Sequence, residues 1–271
     1  MVSKIKINEN THLYYEKRGS GKPILVFIHG WTANSWVWKF QKEYFSKKYQ
    51  VLLLDLKGHG RSDKPDGKYD IPEYTEDIYK ALNKLLPDDK FVLFGHSMGG
   101  MIALYFATHP TYSKRLIGLV LMSTISRKLT SAKLLLNDLQ SGKISIEDPI
   151  IIEEIAKSGY YGKFIRKNKD ILKLNIEEAQ KCPSDIALAS LEYFVNEYDV
   201  SDKLKDISVP TLILAGDKDV QINNEESELM LKMIKKSKLE IIGPNVGHML
   251  QYERPDLVNK VIDEFLTHSI Q

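Results

Sequence analysis

Gly95-His96-Ser97-Met98-Gly99 is the densest piece of chemistry in the chain. It follows the apolar run Phe91 to Phe94 and opens the helical pattern Gly99 to Thr108. A serine in so tight a strand-to-helix turn sits on strained backbone with its hydroxyl raised above the sheet edge, and flanking glycines let strand and helix approach closely. A hydroxyl is a weak nucleophile at its own pKa, so it needs a base, and the base needs a carboxylate to orient it. Both types occur downstream. The run Thr211 to Leu214 empties into Ala215-Gly216-Asp217-Lys218-Asp219, and the run Leu239 to Ile242 empties into Gly243-Pro244-Asn245-Val246-Gly247-His248. Serine, then acid, then histidine is the order expected of a nucleophile on such a turn. The competing reading, a Gly/Ser turn that cradles an anion at a helix N-terminus, leaves the downstream loops without a role.

The elements that must position these residues form an alternating series. Lys4 to Ile7 and His12 to Lys17 read as a strand hairpin about Asn8-Glu9-Asn10. Ile24 to Ile28, Val51 to Leu54, Phe91 to Phe94, Leu116 to Met122 and Thr211 to Leu214 are short apolar runs, with a weaker one at Leu239 to Ile242. Such runs suit strands buried on both faces. Helical patterns separate them at Val37 to Lys47, Glu73 to Leu86, Gly99 to Thr108, Glu225 to Lys236 and Asp256 to His268. The alternation predicts an α/β fold with a mostly parallel sheet and helices on both faces. One interval, Thr124 to about Ser208, has no strand and only helical segments: Ala132 to Leu139, Ile150 to Lys157, Phe164 to Gln180 and Asp185 to Tyr198. A structureless loop of that length is uncommon in a compact domain, so it reads as an inserted helical cap. The expected organisation is therefore a core of residues 1–123 and 209–271 with a cap at 124–208.

In this order the motifs resemble the α/β-hydrolase fold superfamily, in its capped, serine esterase-like branch, over essentially the whole chain. His29-Gly30-Trp31 after the third strand, Asp55 to Asp63 (Asp-Leu-Lys-Gly-His-Gly-Arg-Ser-Asp) after the fourth, and Gly247-His248 followed by Glu253 and Pro255 complete the likeness. The resemblance implies an eight-stranded, mostly parallel sheet, Ser97 as nucleophile, His248 as base and Asp219 as its partner, leaving Asp217 to cap its loop. It also implies an oxyanion hole from the backbone N–H groups of Trp31 and Met98. Trp31, Met98 and Met122 are the candidate substrate-binding side chains, and core filling is an equally good use of each methionine. His96 is expected to pack or hydrogen-bond under the turn and His29 to organise the oxyanion loop. Acyl transfer on such a triad needs no metal or organic cofactor, and His29, His59, His96 and His248 lack the short spacing of zinc motifs.

The expected reaction is acyl transfer to water on a small-molecule ester, carboxylesterase-like. C–C bond hydrolase, lactonase, thioesterase, monoacylglycerol lipase and perhydrolase chemistry stay open on the same residues, as does a ligand-binding pseudoenzyme. Haloalkane dehalogenases and epoxide hydrolases of this fold attack with aspartate, and position 97 is serine. Composition sets the outer limits: 271 residues, 43% hydrophobic and 27% charged, with 38 basic and 36 acidic residues for a formal net charge of +2, suit a globular domain with no nucleic-acid footprint. Neither a membrane span nor a secretory leader is expected, the longest apolar stretch being Leu116 to Met122 and the first seven residues alternating in polarity. Cys182 is the single cysteine, which rules out an intrachain disulfide and points to a reducing, cytoplasmic setting. Monomer and homodimer are equally compatible with the sequence.

Overall fold

The computed structural model describes residues 3–270. Eight strands form one sheet in the order β1-β2-β4-β3-β5-β6-β7-β8, namely β1 (Ser3–Asn8), β2 (Thr11–Arg18), β3 (Ile24–Ile28), β4 (Gln50–Leu54), β5 (Phe91–His96), β6 (Leu116–Met122), β7 (Thr211–Gly216) and β8 (Ser237–Ile242). β1 pairs antiparallel with β2, and β2 with β4, while every later neighbour is parallel. The hairpin and the mostly parallel sheet are those the alternation predicts.

β3 and β6 are apolar at every position because both faces of the sheet's centre are covered. In β3, Ile24, Val26 and Ile28 enter one core cluster, while Leu25 and Phe27 enter the other. The first face is closed by α2 (Ile71–Leu85), α3 (Met98–Thr108) and α9 (Asn224–Met233), the second by α1 (Lys39–Phe45) and α11 (Pro255–Ser269). β8, at the edge, is only partly covered along most of its length, which explains its weaker sequence signal.

Between β6 and β7 the chain is helical: α4 (Lys133–Gln140), α5 (Pro149–Ser158), α6 (Gly162–Lys167), α7 (Lys169–Ala179) and α8 (Ser184–Asn196). The single helix expected over Phe164 to Gln180 is two. Asn168 stands at φ −123°, ψ 60° between α6 and α7, and its side-chain amide donates to the Phe164 carbonyl at 2.8 Å, so a side chain takes the place of a helical backbone partner. The pattern at Val37 to Lys47 likewise begins as a 3-10 turn, Ser35–Trp38, before α1. A short helix, α10 (Leu250–Glu253), follows His248 and was not expected from the sequence.

Candidate active site

Ser97 stands between β5 and α3 at φ 53°, ψ −122°, the strained turn that the two flanking glycines imply. A Cβ at Gly95 would run into the backbone of Gly99 and Gly100, and one at Gly99 into the Ile28 and His29 carbonyls, so helix and strand can meet only where both are glycine. The turn is pinned from below. The Ser97 N–H donates to the Met122 carbonyl at 2.9 Å, and the Ser97 carbonyl accepts from Gly100 N–H at 2.8 Å and from the Thr124 hydroxyl at 2.7 Å.

The structure brings Asp219 and His248 together: Nδ1 of His248 lies 2.8 Å from Oδ2 of Asp219, with the imidazole 5% and the carboxylate 1% exposed. Oδ1 of Asp219 accepts the N–H groups of Gln221, at 2.9 Å, and Ile222, at 3.0 Å, which fixes the carboxylate in rotation. Burial pushes this carboxyl up, but the facing His248 imidazole, the Ile222 N–H and the Ser123 hydroxyl together hold it below the usual carboxylate range. Asp217 faces the other way. Its two oxygens accept the N–H groups of Asn245, at 3.1 Å, and Val246, at 2.8 Å, and so stitch its loop to the segment leading into His248.

Ser97, His248, Trp31 and Met98 line one cavity of about 290 Å³. The Ser97 hydroxyl makes no hydrogen bond to His248 among the described residues; in unliganded sites such contacts are commonly long and tighten around substrate. Met98 is the first residue of α3, so its N–H has no partner within the helix, and the Trp31 N–H has no acceptor among the described residues. The Trp31 indole N–H donates to the Ala187 carbonyl of α8 at 2.9 Å, and its ring meets Phe194 edge-on. This side chain therefore ties the β3 loop to the helical insertion.

Met122 does not line the cavity. It is fully buried in β6, where alternation sends Val120 and Met122 to the core cluster of the α1/α11 face while Leu119 and Leu121 go to the other. The substrate-binding expectation for Met122 is thus corrected, and the wall beyond β6 is made by Ile125.

Two further histidines, His29 and His96, hold the loops around the site. His29 accepts the Leu56 N–H on Nε2 at 2.9 Å and turns Nδ1 to the Gly30 carbonyl at 2.8 Å, locking the β3 and β4 loops together. Burial depresses its pKa to about 4. His96 packs beside His248, ring centroids 4.8 Å apart and planes tilted by 56°, and donates Nε2–H to the His248 carbonyl at 3.0 Å. Burial, then the neighbouring His248, lowers it to about 3, so it is neutral. Among the described residues, no group of three or more His, Cys, Asp and Glu is arranged to hold a metal ion. Burial raises the Cys182 thiol to about 12, far from a reactive thiolate.

Sequence reasoning assigned no role to Glu253, which joins three parts of the site. Its Oε1 accepts the Gly247 N–H at 2.9 Å and its Oε2 accepts the Tyr161 N–H of the insertion at 3.0 Å. Next to these, Met249 N–H donates to the Gly159 carbonyl at 2.8 Å, and the Gln221 side chain donates to the Ser158 hydroxyl at 2.8 Å. Residues 158–161 are therefore bonded to the loops of both Asp219 and His248. Burial raises Glu253 to about 7, against the pull of its two backbone donors. Its only sequence signal was its place five residues beyond His248.

The profile of the family described as alpha/beta hydrolase fold matches residues 23–145. A putative non-heme chloroperoxidase of Synechocystis sp. is 32% identical, covering 94% of each chain. Epoxide hydrolase 1 of Caenorhabditis elegans is 28% identical over 95% of this chain and 68% of its own. Among solved structures, a thermophilic esterase from Thermogutta terrifontis superposes with a TM-score of 0.88 at 28% identity, covering 100% of both chains. With this likeness over nearly its whole length, an eight-stranded sheet and the serine turn at the end of β5, the chain belongs to the alpha/beta-hydrolase fold family.

Proposed function

We propose that the protein is a serine hydrolase that cleaves carboxylic esters of small to medium acyl substrates, carboxylesterase-like, in a cytoplasmic setting and without a cofactor. The observation that carries this reading is His248, paired with Asp219 at 2.8 Å, on the wall of the cavity that holds the strained Ser97. In the proposed reaction, His248 Nε2 takes the Ser97 proton as Oγ attacks the acyl carbon. The N–H groups of Trp31 and Met98 receive the oxyanion, each worth on the order of 3 kcal/mol. His248 then returns the proton to the leaving alcohol, and water repeats the cycle on the acyl-enzyme. Asp219 holds Nδ1–H, so that Nε2 is the free, basic nitrogen.

Residues 124–208 act in this reading as a cap over the core of residues 1–123 and 209–271, roofing the pocket with residues of α4, α5, α7 and α8. Among the described residues, no helix is long and apolar enough to cross a membrane. Serine at the elbow favours acyl transfer over the alkyl-ester chemistry of an aspartate nucleophile.

The test is hydrolysis of p-nitrophenyl acetate and butyrate, with labelling by an active-serine phosphonate, on wild type and Ser97→Ala. Loss of both in the variant is expected. Equal rates and equal labelling in the two proteins reject serine catalysis here.

A further inference from the structure

The cavity around Ser97 is built without a fixed charge. Among the described residues that line it, the only ionisable side chains are the two imidazoles, His96 and His248. His96 is held neutral by burial, and His248 is matched against the Asp219 carboxylate, so neither supplies an unbalanced cation. The other polar lining groups are hydroxyls, the Trp31 and Trp36 indole N–H groups and two amides; the Trp36 N–H is a neutral donor without a partner among the described residues, and both amides are engaged. Asn175 Nδ2 donates to the Tyr160 hydroxyl at 3.0 Å and Gln221 Nε2 to the Ser158 hydroxyl at 2.8 Å. One flank is apolar throughout, from Met101 and Ile125 through Leu129 and Leu135 to Leu191 and Phe194. These residues belong to, or pack against, the core cluster of the α2/α3 face, whereas Trp36, Val37 and Met249 on the opposite flank go with the other cluster. Arg127, two residues beyond Ile125, is bound in a forked pair to Glu226 of α9.

We propose that this cavity selects uncharged esters, with an apolar chain along the Ile125, Leu135 and Phe194 flank, and turns away substrates that carry a second, ionised carboxylate on that chain. The inference rests on the ester-hydrolase reading and adds the substrate class. A carboxylate carried into this pocket leaves its hydration and finds no lysine or arginine in exchange, and an unpaired buried charge is among the costliest groups to accommodate. The positive end of α3 does not compensate. It meets the ligand at Met98, where the reacting carbonyl binds, and its influence fades within the first turn. The volume, near the lower end of small-molecule sites, suits short to medium chains.

The experiment compares p-nitrophenyl hexanoate with mono-p-nitrophenyl adipate, in which a carboxylate replaces the terminal methyl. Binding of the unreactive pair hexanamide and adipamic acid is measured by calorimetry on the same protein. We expect kcat/KM and affinity to favour the neutral member by about 100-fold or more. Leu135→Arg, which puts a guanidinium on the apolar flank, should narrow both ratios by about tenfold. Neutral and charged members within about threefold of each other in wild-type binding overturn the proposal. Binding does not depend on turnover, so this failure is distinct from failure of the serine reading, which appears as ester cleavage unchanged in Ser97→Ala.

Discussion

Asp219→Asn changes one atom and puts the site to a sharp test. Oδ1 of Asp219 accepts two backbone N–H groups, from Gln221 and Ile222, so the asparagine must keep its carbonyl oxygen there. Its NH2 then occupies the Oδ2 position, 2.8 Å from His248 Nδ1. A donor facing Nδ1 requires that nitrogen to accept, which drives the proton onto Nε2 and leaves the imidazole unable to take one from Ser97. Flipping the amide restores the tautomer but breaks both backbone bonds, at about 1–3 kcal/mol each. With about 1.4 kcal/mol per tenfold in rate, the two losses bracket a drop centred near 10³-fold, before the lost charge on the imidazolium is counted. The measurement is kcat on p-nitrophenyl butyrate at mildly alkaline pH, with circular dichroism to verify folding. Asp217→Asn is the control: it removes one acceptor from the Asn245 and Val246 N–H pair, costing about 1–2 kcal/mol of stability with turnover within about tenfold of wild type. A folded Asp219→Asn enzyme that loses less than about tenfold, or an Asp217 variant that loses more, refutes this reasoning.

The other expectations concern the elbow, the Glu253 joint and the base. Ser97 holds φ 53° without being glycine, so Ser97→Gly should melt above Ser97→Ala by the equivalent of about 1–2 kcal/mol, the strain relieved less the added unfolded-state entropy; equal melting temperatures contradict the strain. Glu253 titrates near 7 when folded, above its ordinary value, so its contribution to stability is present at low pH and is lost as pH rises through about 7. Discounted for its remaining solvent contact, the loss is roughly 1–2 kcal/mol between about pH 5 and pH 8. Denaturant unfolding should show that slope in wild type and lose it in Glu253→Gln. Finally, His248→Ala should lower kcat/KM on p-nitrophenyl butyrate by about 10²-fold or more, and a folded variant within about tenfold of wild type contradicts its role as base.

What could be read from the sequence follows from how each element is buried. β3 and β6 were placed to the residue, because strands covered on both faces announce themselves as unbroken apolar runs bounded by polar residues. The Ser97 turn was equally plain, since its glycines answer to backbone contacts a few residues away. Asp217 and Asp219 are another matter: two aspartates in one loop are equivalent on paper and separate only when one faces an imidazole and the other faces Asn245 and Val246. Met122 was misjudged because proximity to the sheet's end says nothing of parity, and parity turns it away from the cavity. The walls contributed by Leu129, Leu135 and Phe194 were beyond reach, because an amphipathic helix declares that it has an inner face without declaring what that face looks upon.

The bonds joining residues 158–161 to the Asp219 and His248 loops have a practical meaning for anyone wishing to reshape this enzyme. That corner of the helical segment is riveted to the Asp219 and His248 loops, so grafting a foreign segment across it would jar the imidazole as well. Of the two solvent-exposed residues of the lining, Val220 lies within the bonded loop, between Asp219 and Gln221, whereas Ser131 lies outside it. Remodelling for bulkier guests should begin at Ser131 and leave the rivets alone.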